Sequence, residues 1–239
     1  MHFYIVYYGQ VSTLPTIVFL HGLATTGKRT WADNGWLDLA HDAGRTTITI
    51  DLPGHGTQFE PTSDFDGSFL DSVNGRLPAE QIDGIGFSLG ASILLKLATA
   101  NPSKFRKIVV AGVGDSLFKP DESRGKKISR AISGNGNLED PESRYFAQLA
   151  DQPDINGELI AKCLQNIDLQ LSPDDISNLK CPVLVVLGDE DFASPASELL
   201  DSLPDGNLVT LRGVDHFATP KDFTFLENAL DFLDANPIW

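Results

Sequence analysis

Cysteine is nearly missing from this chain of 239 residues, which holds only Cys163 and Cys181. Two thiols provide no disulfide framework and no metal cluster, and they point to a reduced, cytoplasmic setting. Basic residues are also scarce. Eighteen Lys and Arg stand against 33 Asp and Glu, a formal charge of −15. Such a field repels nucleic acid and anionic lipid, so neither is an expected partner. No window approaches the roughly 18 consecutive apolar residues of a membrane span. The first eight residues have no basic flank and no extended apolar segment, so a secretory leader is not expected. Also missing are a Gly-x-Gly-x-x-Gly after a strand, a phosphate-loop lysine and any metal-ligand spacing, so neither cofactor nor metal is expected.

What is present centres on Gly86-Phe87-Ser88-Leu89-Gly90. Residues 81–87 read as a short strand and residues 91–98 as an apolar helix that stops before Pro102. A serine on so sharp a strand-to-helix turn sits in a strained conformation with its Oγ exposed. Gly86 and Gly90 leave room for the turn. The following helix aims its free N–H groups at the place where an oxyanion would form.

Serine is a weak nucleophile without a base and a third group to orient that base. The chain has five histidines, His2, His21, His41, His55 and His216, and only His216 lies well after Ser88. It follows a strand-like run at residues 207–211. A buried-strand pattern at residues 181–187 ends in Gly188-Asp189-Glu190-Asp191-Phe192-Ala193-Ser194-Pro195, which offers three carboxylates for the third role. His2 and His41 carry no signal.

Together with Thr16-Ile17-Val18-Phe19-Leu20-His21-Gly22 and Ile48-Thr49-Ile50-Asp51-Leu52-Pro53-Gly54-His55-Gly56, these motifs resemble the α/β-hydrolase superfamily from about residue 16 onward. The resemblance implies a single α/β-hydrolase domain over residues 1–239, with a mostly parallel sheet flanked by helices. It also implies the role of each site residue. The spacing glycine, two residues, aspartate, three residues, proline selects Asp191 as the acid. Asp189 is the nearest rival, and Asp115 a more distant one, because some relatives place the acid one strand earlier. The oxyanion would be held by the backbone N–H groups of Leu89, the residue after the nucleophile, and of Leu23. His21 and His55 are expected to bond loop backbone rather than act as bases.

Residues 115–178 contain no β-rich run. Helices are expected near residues 122–132, 141–150 and 158–167, and the resemblance makes this stretch a helical cap over the site. Leu117, Phe118, Tyr145, Phe146, Leu149, Leu159 and Leu164 are expected to be mostly cap core. Arg124, Lys126, Lys127 and Arg130 are expected on the solvated face of a helix, and Trp31 and Trp36 in packing. Strands are expected near residues 2–8, 16–20, 46–51 and 107–111, with a helix at residues 36–43 capped by Gly44.

The expected activity is hydrolysis of a small carboxylic ester through an acyl-enzyme, with a rate that rises through a histidine-like transition at about pH 6 to 7. The same triad serves thioesterases, acyltransferases, carbon–carbon bond hydrolases and perhydrolases. A small-molecule receptor that retains the triad is a further class. The expected partner is a small ester or acyl substrate, and the sequence leaves the oligomeric state open.

Overall fold

A strand buried on both faces must place successive side chains in two different apolar layers. The computed structural model, which describes residues 13–56 and 69–237, has six strands, and three of them are buried in this way. The six are β1 Ile17–Leu20, β2 Thr47–Ile50, β3 Ile82–Phe87, β4 Phe105–Ala111, β5 Val183–Gly188 and β6 Gly206–Leu211. Their order is β2-β1-β3-β4-β5-β6, with every neighbouring pair parallel. Every residue of β1, β3 and β5 is buried, which is why β1 and β5 read as continuous apolar runs.

Along β1, Val18 and Leu20 enter one core while Ile17 and Phe19 enter the other. Helices α3 (Phe69–Asn74), α4 (Leu89–Ala100), α8 (Pro173–Ser177) and α9 (Ser197–Ser202) cover the first face. Helices α2 (Trp36–Asp42) and α10 (Phe223–Phe232) cover the second. Trp31 and Trp36 are packing residues, as expected. Both are fully buried, and Trp36 stacks edge-on against Phe225 with ring centroids 4.6 Å apart. Gly44 follows α2 with a positive φ of 73°, the conformation of a C-terminal cap glycine.

Between β4 and β5 the chain leaves the sheet and makes α5 (Glu122–Ile132), α6 (Pro141–Ala150), α7 (Gly157–Asn166) and then α8. Asp121, Asp140, Asn156 and Ser172 each accept the amide three residues on, so every one of these helices starts at a side-chain cap. Ile128, Ala131, Ile132, Phe146 and Ile160 form a third, smaller core there, and Leu23 and Phe217 pack against it from the sheet side.

Five helices, α1 (Gly27–Thr30), α3, α8, α9 and α10, were not legible in the sequence. The first four span six residues or fewer, too few turns for a helical period to stand out. The strand expected at residues 2–8 lies outside the described residues. Among the described residues, no helix is long and apolar enough to cross a membrane.

The end of the sheet away from the strands' carboxyl edge is held by charge. Asp83 in β3 is fully buried. Arg106 reaches it through Nε at 2.9 Å and Nη2 at 2.6 Å, and Arg45 through Nη2 at 2.5 Å. Both guanidinium groups also donate to the Leu233 carbonyl, and Arg45 donates to that of Pro15. Asp83→Ala removes the anion and strands a buried cation, so it should lower the unfolding free energy by about 3–5 kcal/mol. Urea titration checks this, and turnover per folded molecule should stay at the wild-type level because the change lies at the far end of the sheet from Ser88.

Candidate active site

Ser88 joins β3 to α4 at φ 53°, ψ −115°, a strained backbone for a residue with a side chain. Tight packing around it holds the strain. A Cβ on Gly90 would come within 2.4 Å of the Leu20 carbonyl oxygen, and one on Gly86 within 2.7 Å of Ala91. The Ser88 amide donates to the Ala111 carbonyl at 2.8 Å. The turn is therefore fixed by neighbours on both sides, and α4 starts at the next residue.

Two loops bring the partners. After β5, Asp191 is buried and its Oδ1 accepts the Ala193 amide at 2.7 Å. After β6, Asp215 Oδ1 accepts the amides of Phe217 and Ala218, a side-chain turn that sets the loop carrying His216. His216 Nδ1 lies 2.9 Å from each Asp191 carboxylate oxygen, and its Nε2 lies 2.9 Å from Ser88 Oγ. With the Nδ1 proton donated to the carboxylate, Nε2 is left as an acceptor for the serine hydroxyl. Asp189 instead accepts the Gly213 amide, and Asp115 accepts from Ser197 Oγ and the Leu199 amide. Neither rival meets the histidine.

Residues 17–234 match the family model described as the alpha/beta hydrolase family. The chain belongs to that family. It is 25% identical over 251 residues to a 2-hydroxy-6-oxononadienedioate/2-hydroxy-6-oxononatrienedioate hydrolase of Pseudomonas putida, covering 91% of this chain and 87% of that protein. In fold it is similar to MenH from S. aureus, with TM-score 0.72, 20% identity, and coverage of 95% of this chain and 96% of that one. It is also similar to the 2-hydroxy-6-oxo-6-phenylhexa-2,4-dienoate hydrolase of Rhodococcus sp. strain RHA1, with TM-score 0.63, 18% identity, and coverage of 91% and 89%.

In this alpha/beta hydrolase, a cavity of about 1150 Å³ opens above the carboxyl ends of the strands, where sheets of this kind take ligands. Ser88, His216, Leu23 and Leu89 all line it. Among the described residues no protein acceptor takes the amide of Leu23 or Leu89, so both are free to serve an oxyanion.

Two sequence expectations need correction. Leu117, Tyr145, Phe146, Leu149 and Leu164 line the cavity, so most of the apolar residues assigned to cap core also face the site. Phe146 does both. Among the α5 cations Lys126 and Arg130 are exposed as expected, but Arg124 is not simply solvated. Arg124 lines the cavity and lies over the Phe192 ring at 3.7 Å, while its Nε donates to Glu142 at 2.7 Å. Phe192 in turn stacks on His216, with ring centroids 4.1 Å apart. Tyr145 stacks on Phe217 at 3.9 Å. Phe192 and Phe217 each directly follow a triad member in the sequence, which was the signal that sequence reading did not use.

The other two motif histidines bond backbone, as expected. His21 Nε2 accepts the Leu52 amide at 2.9 Å, and its Nδ1–H donates to the Gly22 carbonyl at 2.7 Å. His55 Nε2 accepts the Ala24 amide at 3.0 Å, and its Nδ1–H donates to the Pro53 carbonyl at 3.0 Å. Burial lowers both pKa values from 6.5, to about 4 for His21 and about 3 for His55, with the His21–His55 proximity adding to the second. Between pH 6.5 and about 4 the unfolded chain therefore binds protons that the fold refuses. This contribution to stability is complete above the unfolded value and drains away as the pH falls. We expect urea-derived stability to drop on acidification through this window by roughly 1.4 kcal/mol per pH unit for each histidine. His55→Gln, which does not titrate, should flatten that slope.

Proposed function

We propose that this alpha/beta hydrolase cleaves an acyl bond of a small molecule, with Ser88 as nucleophile, His216 as base and then acid, and Asp191 as the group that orients the imidazole. The observation that carries this reading is the unbroken Asp191–His216–Ser88 linkage at 2.9 Å per step beside the cavity. A carboxylic ester is the simplest substrate. Ser88 Oγ bonds to the acyl carbon as its proton passes to His216 Nε2. The charge on the carbonyl oxygen is held by the Leu23 and Leu89 amides. The carbon–oxygen bond then breaks, and the alkoxide leaves with the His216 proton. Water repeats the sequence on the acyl-enzyme and regenerates Ser88. No metal or cofactor enters these steps, and a cytoplasmic setting fits a chain with two buried thiols.

A specific observation favours a second reading, cleavage of a carbon–carbon bond beside a ketone in an oxo-carboxylate. The cavity of this acidic chain is lined by Arg29 and Arg124, guanidinium groups suited to a carboxylate. The Pseudomonas relative acts, by name, on a dioate. In that case the leaving carbon must hold its electron pair by delocalisation until it is protonated.

A fluorophosphonate probe followed by mass spectrometry should label the peptide containing Ser88. Ser88→Ala should remove the label and cut kcat by roughly 10⁴- to 10⁶-fold. Label on another residue, or an active Ser88→Ala protein, ends the assignment. Arg124→Leu should separate the two readings. It should raise KM for a carboxylate-bearing oxo-dienoate by about 10- to 100-fold and leave KM for p-nitrophenyl butyrate unchanged. The receptor alternative requires tight ligand binding with almost no turnover on either substrate.

A further inference from the structure

The Pro53-Gly54-His55-Gly56 turn lies between the oxyanion loop and the cap, and it is bonded to both. On the loop side, the His55 ring takes the Ala24 amide. Ala24 has a positive φ of 54°, an uncommon conformation for a non-glycine residue, and it is the residue after Leu23. The peptide plane between Leu23 and Ala24 is thus pinned by one imidazole nitrogen. The ring cannot turn away, because its other nitrogen donates to the Pro53 carbonyl. Burial holds the ring neutral, with a pKa of about 3, so Nε2 remains an acceptor throughout the range in which a serine–histidine pair works.

On the cap side, the same turn meets residues 154–156. The Gly56 amide donates to the Asp154 carbonyl at 2.8 Å, and the Asn156 amide donates to the Gly54 carbonyl at 2.8 Å. His55 and Ile155 form an isolated antiparallel bridge. A side-chain link runs parallel to this one. Arg29, in the short helix α1 (Gly27–Thr30) that ends the oxyanion loop, reaches both carboxylate oxygens of Asp154 through Nη1, at 2.8 and 3.0 Å. Leu23 itself packs against the cap core. Backbone, charge and apolar contact therefore all couple the start of α7 to Leu23 and Ala24, one peptide on from the Gly22–Leu23 amide assigned to the oxyanion, whose carbonyl accepts from His21 Nδ1–H.

We propose that cap residues 154–156 position the oxyanion hole, with His55 as the positioning residue that couples them to the Leu23–Ala24 peptide and Arg29 as a second tie. This rests on the reading of Leu23 as an oxyanion donor. The cap then does more than wall the cavity. Its seating on the turn at residues 53–56 determines whether the donor is in place, so a substrate that shifts the cap alters the rate of the chemical step as well as binding.

The test uses the full chain with p-nitrophenyl butyrate, together with amide hydrogen exchange at Ala24. His55→Leu removes the acceptor and should lower kcat by about 100- to 1000-fold, the effect of a lost oxyanion donor, with KM little changed and Ala24 exchange accelerated. His55→Gln places an amide oxygen near the position of Nε2 and should recover most of kcat. Asp154→Ala, at a partly exposed site, leaves the ring in place and should still lower kcat roughly 3- to 30-fold and accelerate Ala24 exchange at an unchanged melting temperature. If His55→Leu does not fold, the Asp154→Ala and His55→Gln pair decides the matter. Wild-type kcat and wild-type Ala24 exchange in Asp154→Ala overturn the proposal. So does a fall in kcat that tracks melting temperature and is not recovered by His55→Gln. Failure of the site reading looks different: Ser88→Ala stays active, while Ala24 exchange still reports whether the cap holds the loop.

Discussion

One backbone angle sets the terms for this site. Ser88 is held at φ 53° because α4 packs so closely on β1 that only glycine fits at residue 90. The helix axis, the exposure of Oγ and the free amide of Leu89 all follow from that close approach. The partners come from loops at the ends of β5 and β6, strands whose register is fixed by the parallel β4–β5 and β5–β6 ladders. A loop can carry a functional side chain accurately when both of its ends are anchored in such a sheet. Here the accuracy is visible in the equal distances from His216 to the carboxylate and to the serine.

Much of this was legible in the sequence. The elbow glycines have a steric reason to be there, and the aliphatic runs of β1 and β5 have a burial reason. Local signals of that kind survive without a structure. His216 could be chosen because only one histidine follows Ser88 at a distance, and Asp191 because its spacing matched a resembling family. The cap helices at residues 122–132 and 141–150 matched their observed bounds, since aspartate caps and a proline start mark them in the chain. The direction in which a cap side chain points was not legible. Tyr145 and Leu149 have the composition of core residues and also face the cavity. Only the packing of three helices against the loops that carry Asp191 and His216 decides that. Arg124 failed for the same reason. A cation at helical spacing is usually solvated, yet here Phe192 offers a ring face beneath it.

Charge is divided by location. The chain as a whole is strongly acidic, while arginines line the cavity. Far from the cavity, a buried carboxylate is clasped by two more arginines at the opposite end of the sheet. At the cavity, Arg29 is paired with Asp154 and Arg124 with Glu142. At the far end, the two guanidinium groups tie the Pro15 and Leu233 carbonyls to Asp83 in β3. In both places the carboxylate partner comes from the fold, and the difference is exposure: the Arg29 and Arg124 pairs are partly exposed, whereas the Arg45–Asp83 pair is buried.

The small core shared by α5, α6 and α7 has a further consequence. Its five buried residues are distinct from those of the two layers that sandwich the sheet. Substitutions there can reshape the chamber without disturbing the foundations, so the cavity can change in lineages that keep the same sheet and the same turn at Ser88. The tether at residues 154–156 limits that freedom: a redesigned roof must still land on the same hinge pin.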